Sequence, residues 1–355
     1  MLYPKNRIII LSDAIRTGKT SALASWLENV HSKAGFICPD IENSRKLLNL
    51  QTGIYHDFEL KVKTDDCTSI GKFHFSNQVI QQTCLETLEA SQKGFQFLVL
   101  DEIGKLEIES DLGFFPILHQ LFASYKQAGN GYLIVVIRDS LLQKAIEKFN
   151  LQSARILNLK EFKSSIQTHA LVLAGGNSSR MGTPKGLISY HNNIQQDYLY
   201  NCLKQHCDHV YLSLKSNSIS TNPSSLPYIL DDIDYPDMGP TSAYLSAVNF
   251  NPLCNWILLA CDYPFLKSRD IEFLLKYANI AKTSVCYGLE KQYEPLLAVY
   301  HLNNHLEFWM ILQMGNQSLY KFQEKIKPKV LMPISRAVLF SANTPEEMME
   351  AKELL

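Results

Sequence analysis

The sequence predicts an α/β protein of two domains, each a mostly parallel sheet with helices on both faces. Three observations predict it. The chain has 355 residues, where one domain usually takes about 100–200. Continuous apolar runs of strand length alternate with amphipathic helical patterns, as in parallel strands buried on both faces. A strand-plus-loop opening near residue 7 restarts at residue 169.

The elements follow in order. RIIILS (Arg7–Ser12) is a buried strand leading into the loop DAIRTGKT and then a helix over TSALASWLENVHSKAG. FQFLVLDE (Phe95–Glu102) is the second strand. After the helical FFPILHQLFASYKQAGNG comes the third, GYLIVVIRD (Gly131–Asp139). The polar NLKEFKSSIQT (Asn158–Thr168) lacks a strong apolar period. It sets the expected limits: a first domain over residues 1–160, a linker over 161–168 and a second domain over 169–355. In the second half HALVLAGG, HVYLSLKS and NWILLACD read as strands. DDIDYPDMGPTSAYLSAV gives acids, a turn and a helix from Gly239–Pro240. SNSISTNPSSLP reads as a surface loop, and YEPLLAVYH as a short apolar segment before a helix.

Composition narrows the function classes. Apolar residues make up 46% and charged residues 19%, enough for packed cores. A formal net charge of −1 gives no general attraction to nucleic acid or membrane. No apolar run reaches the roughly 18 residues of a spanning helix. The opening MLYPKNRIIILSD is too short in its apolar run for a signal peptide. A cytoplasmic protein without nucleic-acid or membrane partners is expected. Eight cysteines without a CxxC pair read as reduced, mostly buried thiols. Ten histidines without an HExxH motif give no dedicated zinc site.

The first loop carries phosphate chemistry. A P-loop, GxxxxGK[ST] between strand and helix, holds phosphates on backbone N–H groups, reaches them with its lysine and binds magnesium through its hydroxyl. Gly18, Lys19 and Thr20 supply GKT here, with Asp13 in place of the first glycine. A carboxylate facing a triphosphate is repulsive unless it turns outward. LVLDEIGKLE ends a strand in two carboxylates, expected beside the P-loop strand. Asp101 is the candidate magnesium ligand and Glu102 the candidate group polarising the attacking water. DEIGKLE and GFICPDIENSRKLLNLQTG resemble a bacterial and archaeal nucleoside-triphosphatase family first described from thermophiles. The resemblance spans about Arg7–Leu157. It implies a P-loop fold that binds and slowly hydrolyses ATP or GTP with Mg2+; the motif does not choose between the bases.

The second loop, LAGGNSSRMGTPK, is a different device. Gly175 and Gly176 let the chain turn close to a ligand, while Arg180 and Lys185 bring positive charge. Such a loop suits a triphosphate attacked at its α-phosphate, because backbone donors and cations take up charge on the pentavalent transition state and on leaving pyrophosphate. ACDYP places Asp262 at a strand end, where a magnesium bridging the triphosphate would sit. Asp231, Asp234 and Asp237 read first as solvated loop acids.

LAGGNSSRMGTPK, the Asp232…Gly239–Pro240 spacing, CDYP, EPLLAVYH and FSANTPEEMMEAKELL together resemble the molybdenum cofactor guanylyltransferase family. The resemblance covers about His169 to Leu355. It implies a Rossmann-like nucleotidyltransferase fold and transfer of GMP from GTP to the phosphate of molybdopterin, with Mg2+. It places Leu173, Ala174, Gly175 and Gly176 along the guanosine nucleotide and Lys185 on its phosphates. Asp232 becomes the acid on the nucleotide side, and Asp262 the ligand of magnesium and nucleotide. Lys185, Arg180 and Asp262 are then the catalytic set. Ser213 stands where the family often has asparagine, and GPTSA replaces GPLAG. Molybdoenzyme apoproteins and cofactor-insertion factors are the candidate partners beyond molybdopterin. The alternatives are cytidylyl transfer to the same cofactor, nucleotidyl transfer to another phosphorylated acceptor, and a first domain that serves as a switch or binding module.

Overall fold

The structure is a computed structural model describing residues 3–355 apart from 130, 176–182, 237, 290 and 291. The chain divides into two compact units, Tyr3–Ser165 and Ile166–Leu355.

In the first unit, one sheet has a parallel part in the order Arg155–Leu157, Ile8–Asp13, Tyr132–Arg138, Phe97–Ile103, Lys33–Ile37. Ser44–Asn49, Asp40–Ile41 and Tyr55–Asp57 extend it as antiparallel strands. Glu59–Leu60, Phe73–Ser76 and Cys67–Ile70 form a separate antiparallel sheet. The central strands are buried along almost their whole length because YLIVVI and FLVL have no polar face to offer water.

Three expectations are corrected here. The strand ending in Asp101–Glu102 is not beside the P-loop strand; Tyr132–Arg138 lies between them. That strand is apolar on both faces and therefore takes the centre, leaving its two neighbours about 10 Å apart. The helix expected over Thr20–Gly35 is Lys19–Leu27, followed by the strand Lys33–Ile37. Gly35 explains the strand: with φ +89°, a Cβ there would lie 2.1 Å from the Val99 carbonyl oxygen, so only glycine permits this close pairing. Finally, Leu159–Ser165 is helical and belongs to the first unit. Phe162 is its fully buried anchor, edge-on to Trp26. One aromatic residue in a polar stretch gives no period to read, but it suffices to dock a short helix.

In the second unit the sheet order is Tyr228–Leu230, His209–Leu214, His169–Leu173, Trp256–Ala260, Gln292–Tyr300, Val285–Leu289, Lys329–Leu331. The first four strands are parallel; Gln292–Tyr300 is antiparallel to both neighbours. YEPLLAVY is thus part of the nine-residue strand Gln292–Tyr300, and His301 caps the turn that follows. Side chains alternate across the central strand: Ala170 and Val172 join the layer of Leu199, Leu203, Ile271 and Leu274, while Leu171 joins that of Tyr244, Trp309 and Phe322. Pro240–Phe250 begins at Gly239 with proline in its first turn, where the missing N–H costs nothing.

This connectivity positions a site. From His169–Leu173 the chain moves outward to His209–Leu214 and Tyr228–Leu230, then returns to Trp256–Ala260 on the other side of the starting strand. The order reverses between those two strands. In open α/β sheets, ligands occupy the crevice at the carboxyl ends of such a pair.

Candidate functional site

In the first unit the helix Lys19–Leu27 starts at Gly18 (φ 96°), and no side chain caps its first N–H groups. Those groups and the positive helix end suit an anion. Lys19 is buried. Its Nζ donates to the carbonyl oxygens of Asp13 (2.8 Å) and Ala14 (2.6 Å), so the lysine bridges its own loop. Asp13 is turned away from the cradle: its carboxylate accepts from the N–H of Leu159 (3.0 Å) and of Ala14 (2.8 Å). Those two bonds hold its pKa below the ordinary value.

Thr20 and Asp101 meet. The Thr20 hydroxyl bonds Asp101, and the Cys38 N–H donates to Asp101 Oδ2 at 3.3 Å. Burial pushes the Asp101 carboxyl up to about 6 despite those bonds, and Oδ1 has no hydrogen-bond partner among the described residues. Glu102 does not join them. Arg138, at the end of the intervening strand, donates from Nε to Glu102 Oε1, and its Nη2 lies 3.5 Å from Oε2. Sequence reasoning missed Arg138 because the neighbour that places it is set by strand order.

In the second unit Lys185 and Asp262 converge at the reversal point. Lys185 opens a short turn after the glycine loop, and Asp262 follows Trp256–Ala260. Nζ lies 3.2 Å from Asp262 Oδ2 and 2.5 Å from Asn343 Oδ1. Asp262 is largely buried, and its Oδ1 has no hydrogen-bond partner among the described residues. The closing segment is stitched onto this corner, because the Ala342 N–H donates to the Asp262 carbonyl at 2.8 Å. Thr344 and Glu347 form a capping box, and Glu347 also accepts from the Asn343 N–H. Asn343 is a site residue that the sequence offered only as part of a family ending. Only folding places it beside a residue 158 positions away.

A clamp holds the turn after Asp262. His191 Nε2 donates to the Pro264 carbonyl (2.7 Å), Gln195 Nε2 to that of Tyr263 (3.1 Å) and the Tyr198 hydroxyl to that of Leu266 (3.2 Å). All three side chains come from the segment just after Lys185, so the two partners of the ion pair are tied to one scaffold. Beyond Asp262, Tyr263 donates to Glu294 Oε2 at 2.9 Å; burial and the nearby Asp262 charge raise the Glu294 carboxyl.

The remaining predicted residues line the other flank. Leu173 is paired in register with Ser213 and with Ala260. The Ala174 N–H reaches the Ser213 carbonyl at 3.3 Å, and Gly175 packs on residues 213–215 so closely that a Cβ would lie 3.0 Å from the Lys215 nitrogen. Asp232 is built into its own turn: its N–H donates to Ser246 Oγ, and its carboxylate accepts from the Asp234 N–H. Asp231 is not a solvated loop acid; it is half-buried and accepts from Ser213 Oγ at 2.6 Å. Gly176, Arg180 and Asp237 lie outside the described residues. Among the described residues no group of three or more His, Cys, Asp or Glu side chains could hold a metal ion by itself. All eight cysteines are free, six of them buried. No described helix is long and apolar enough to cross a membrane.

Each half of the chain resembles known proteins. Residues 8–168 match the NTPase family model, and residues 170–328 match the model of the MobA-like NTP transferase domain. A molybdenum cofactor biosynthesis bifunctional protein of Synechocystis sp. is 27% identical over 187 residues, covering 52% of this chain and 53% of that protein. The match thus spans about half of that relative's length. Probable molybdenum cofactor guanylyltransferases from Halalkalibacterium halodurans and Bacillus mycoides are 27% and 23% identical, covering 37% and 52% of this chain and 68% and 94% of theirs. Among solved structures, molybdopterin-guanine dinucleotide biosynthesis protein A from Archaeoglobus fulgidus overlaps 53% of this chain and 98% of its own (TM-score 0.44, 17% identity). THEP1 from Aquifex aeolicus overlaps 43% and 89% (TM-score 0.35, 17% identity).

Proposed function

We propose, for a chain that joins an NTPase-family domain to a MobA-like NTP transferase domain, that the second unit transfers GMP from GTP to molybdopterin. The products are molybdopterin guanine dinucleotide and pyrophosphate. The observation that carries this reading is the convergence of Lys185, Asp262 and Asn343 at the sheet's reversal point.

Magnesium fits this corner. Asp262 Oδ1 is buried without a hydrogen-bond partner among the described residues, and carboxylate oxygens are the hard donors this cation takes. Asp262 would hold it. When bound, it supplies positive charge to the triphosphate oxygens. The protein's own groups do the rest. Lys185, poised by Asp262 and Asn343, meets the charge that grows on the α-phosphate and on the departing pyrophosphate. The clamp on residues 263–266 keeps Asp262 in register with Lys185, so little reorganisation accompanies the reaction. The attacking phosphate is already anionic and needs no strong general base. Molybdoenzyme apoproteins and cofactor-insertion factors remain the proposed recipients.

For the first unit we propose binding of ATP or GTP with Mg2+. Asp101 Oδ1, buried and without a hydrogen-bond partner among the described residues, and the adjoining Thr20 hydroxyl are the donors that fit the cation. Hydrolysis is the direct reading. A nucleotide-dependent switch is the second, favoured by the Arg138–Glu102 ion pair, which occupies the group expected to polarise water.

The test uses full-length protein with α-labelled GTP or CTP and molybdopterin. Label from GTP in a pterin dinucleotide, with stoichiometric pyrophosphate, supports the reading. Incorporation from CTP alone moves the protein to cytidylyl transfer, and incorporation from neither sinks the proposal.

A further inference from the structure

We propose that the helix Leu159–Ser165 gates the phosphate cradle of the first unit, with Asp13 as its lever. Docked, the helix holds the Asp13 carboxylate away from the triphosphate; undocked, it lets that carboxylate take Lys19. This rests on the reading of the first unit as a nucleotide-binding unit and adds a regulation of that site.

Sheet register places the lever. Arg155–Leu157 pairs in parallel with Ile8–Asp13, with Leu157 opposite Leu11. Two residues further along each strand, Leu159 comes beside Asp13, and its N–H donates to Asp13 Oδ2 at 3.0 Å. The same helix reaches the far side of the phosphate loop. Its buried Phe162 packs edge-on against Trp26 of the helix Lys19–Leu27, with ring centroids 6.0 Å apart. Asn158 and Glu161 close its first turn reciprocally: the Asn158 N–H donates to Glu161 Oε2 at 2.8 Å, and the Glu161 N–H to Asn158 Oδ1 at 2.9 Å. A helix of seven residues thus touches both the strand and the helix that flank the loop. It is also the last element of the first unit, and the chain enters the second at Ile166. The gate therefore lies on the covalent path between the two.

The chemistry of Asp13 is the second argument. A phosphate loop has glycine where Asp13 stands, and a carboxylate there has two competing places. In the observed one, Oδ1 accepts from the Ala14 N–H at 2.8 Å and Oδ2 from the Leu159 N–H. The first bond stays within one dipeptide and moves with it; the second ties the carboxylate to a separate element. The other place is on Lys19. Its ammonium already donates to the Asp13 and Ala14 carbonyl oxygens, at 2.8 and 2.6 Å, so a released carboxylate on the same segment is drawn to that charge. There it occupies the cation that a P-loop offers to the terminal phosphates, and it sets a negative charge against them. The cradle thus has two states, and the Leu159 N–H stabilises the one that accepts a triphosphate. By linkage, a bound triphosphate stabilises the docked helix to the same extent.

A double-mutant cycle tests this. Leu159→Pro removes the N–H that holds Asp13, and proline suits the first residue of a helix. Asp13→Asn removes the charge and keeps an acceptor. Full-length wild type, both single variants and the double variant are titrated calorimetrically with Mg·ATPγS and with Mg·GTPγS. The binding heat that Lys19→Ala abolishes is assigned to the first unit. Leu159→Pro is expected to raise Kd at that site about ten-fold, but by less than about two-fold in the Asp13→Asn background. Phe162→Leu, which loosens the helix at its buried anchor, gives the same cycle by a second route. In the wild type, hydrogen exchange over Leu159–Ser165 should slow when nucleotide binds. An equal rise in Kd in both backgrounds makes the helix a structural support and overturns the inference, and so does no rise in either. Those outcomes leave nucleotide binding by the wild type intact. A wild type with no binding heat sensitive to Lys19→Ala defeats the nucleotide-binding reading of the first unit instead.

Discussion

Lys185 Nζ sits 3.2 Å from Asp262 Oδ2, with the Asn343 carboxamide oxygen on the same ammonium at 2.5 Å. Lys185, the strand-end residue Asp262 and the segment that leads into the helix Pro345–Leu354 thus meet at one ammonium group. The pair is mostly buried, with side-chain exposures of 26% for Lys185 and 14% for Asp262, so loss of the lysine leaves the Asp262 carboxylate without its counter-charge. Lys185→Ala should lower the melting temperature modestly and lower kcat for nucleotidyl transfer about 10²–10³-fold. Lys185→Arg should recover part of that loss. Equal losses in stability and rate would return the residue to a structural role.

The clamp predicts a positioning effect. Tyr198→Phe removes one hydroxyl from the Leu266 carbonyl and should cost about 0.5–1.5 kcal/mol of stability. Gln195→Leu removes the bond to the Tyr263 carbonyl and should lower kcat more than it raises KM for GTP. Steady-state kinetics across magnesium concentrations checks this, since a displaced Asp262 should also raise the magnesium requirement. Unchanged kinetics in a stable Gln195→Leu protein would show that the clamp does not tune the site.

Asp101 predicts a pH dependence in the first unit. Its folded pKa is about 6 because of burial, against an ordinary 3.8. The protonated form is therefore favoured by the fold. The burdened carboxylate destabilises the apo unit progressively as pH rises from about 3.8 through 6, by about 2–3 kcal/mol in full. Cation binding needs that carboxylate, so magnesium–nucleotide affinity should rise with pH through about 6. Asp101→Asn should stabilise the apo protein at pH 8, remove the pH-dependent gain in affinity and weaken magnesium–nucleotide binding. Nucleotide titration calorimetry and thermal unfolding at pH 5 and 8 measure both.

His305 makes the opposite prediction in the second unit. The Tyr244 hydroxyl lies 2.8 Å from its Nδ1, and its Nε2 donates to the Cys254 carbonyl at 2.9 Å. Burial lowers its pKa to about 4. The unfolded chain therefore binds a proton that the folded chain refuses. Stability is complete above about pH 6.5 and falls as pH drops towards 4, by up to about 3 kcal/mol. His305→Asn should be less stable at pH 7.5 yet lose less on going to pH 4.5. Urea midpoints at the two pH values decide it.

Lys19→Ala addresses the first unit's role. Loss of nucleotide hydrolysis with unaltered transfer indicates two independent activities. Loss of both indicates that the first unit assists the second, as its covalent proximity would permit.

How much of this was legible depends on range. GKT followed a strand and opened a helix, a local pattern that the structure repeats with Gly18 as the first helix boundary. The structure brings Thr20 and Asp101 together, two residues that the sequence offered as magnesium ligands in two separate motifs. Glu102 shows the limit. Its carboxylate goes to Arg138, because the strand carrying Arg138 inserts between the two motif strands, and strand order leaves no local mark in sequence. Asp231 shows another. In a row of loop acids each looks solvated, and only the neighbouring strand's Ser213 distinguishes one of them.

The sequence by itself determined the elements that rest on local physics: apolar runs long enough for buried strands, glycines where the backbone must turn, proline at a helix start and the capping box at Thr344. Tertiary structure alone decided what converges at each site: Lys185 with Asp262 and Asn343, Asp231 with Ser213, Arg138 with Glu102 and the three-residue clamp on residues 263–266. The reason is physical. Hydrophobic periodicity fixes which face of an element is buried, whereas the carboxyl-end neighbours of a strand depend on sheet order, which is selected by the packing of the whole layer.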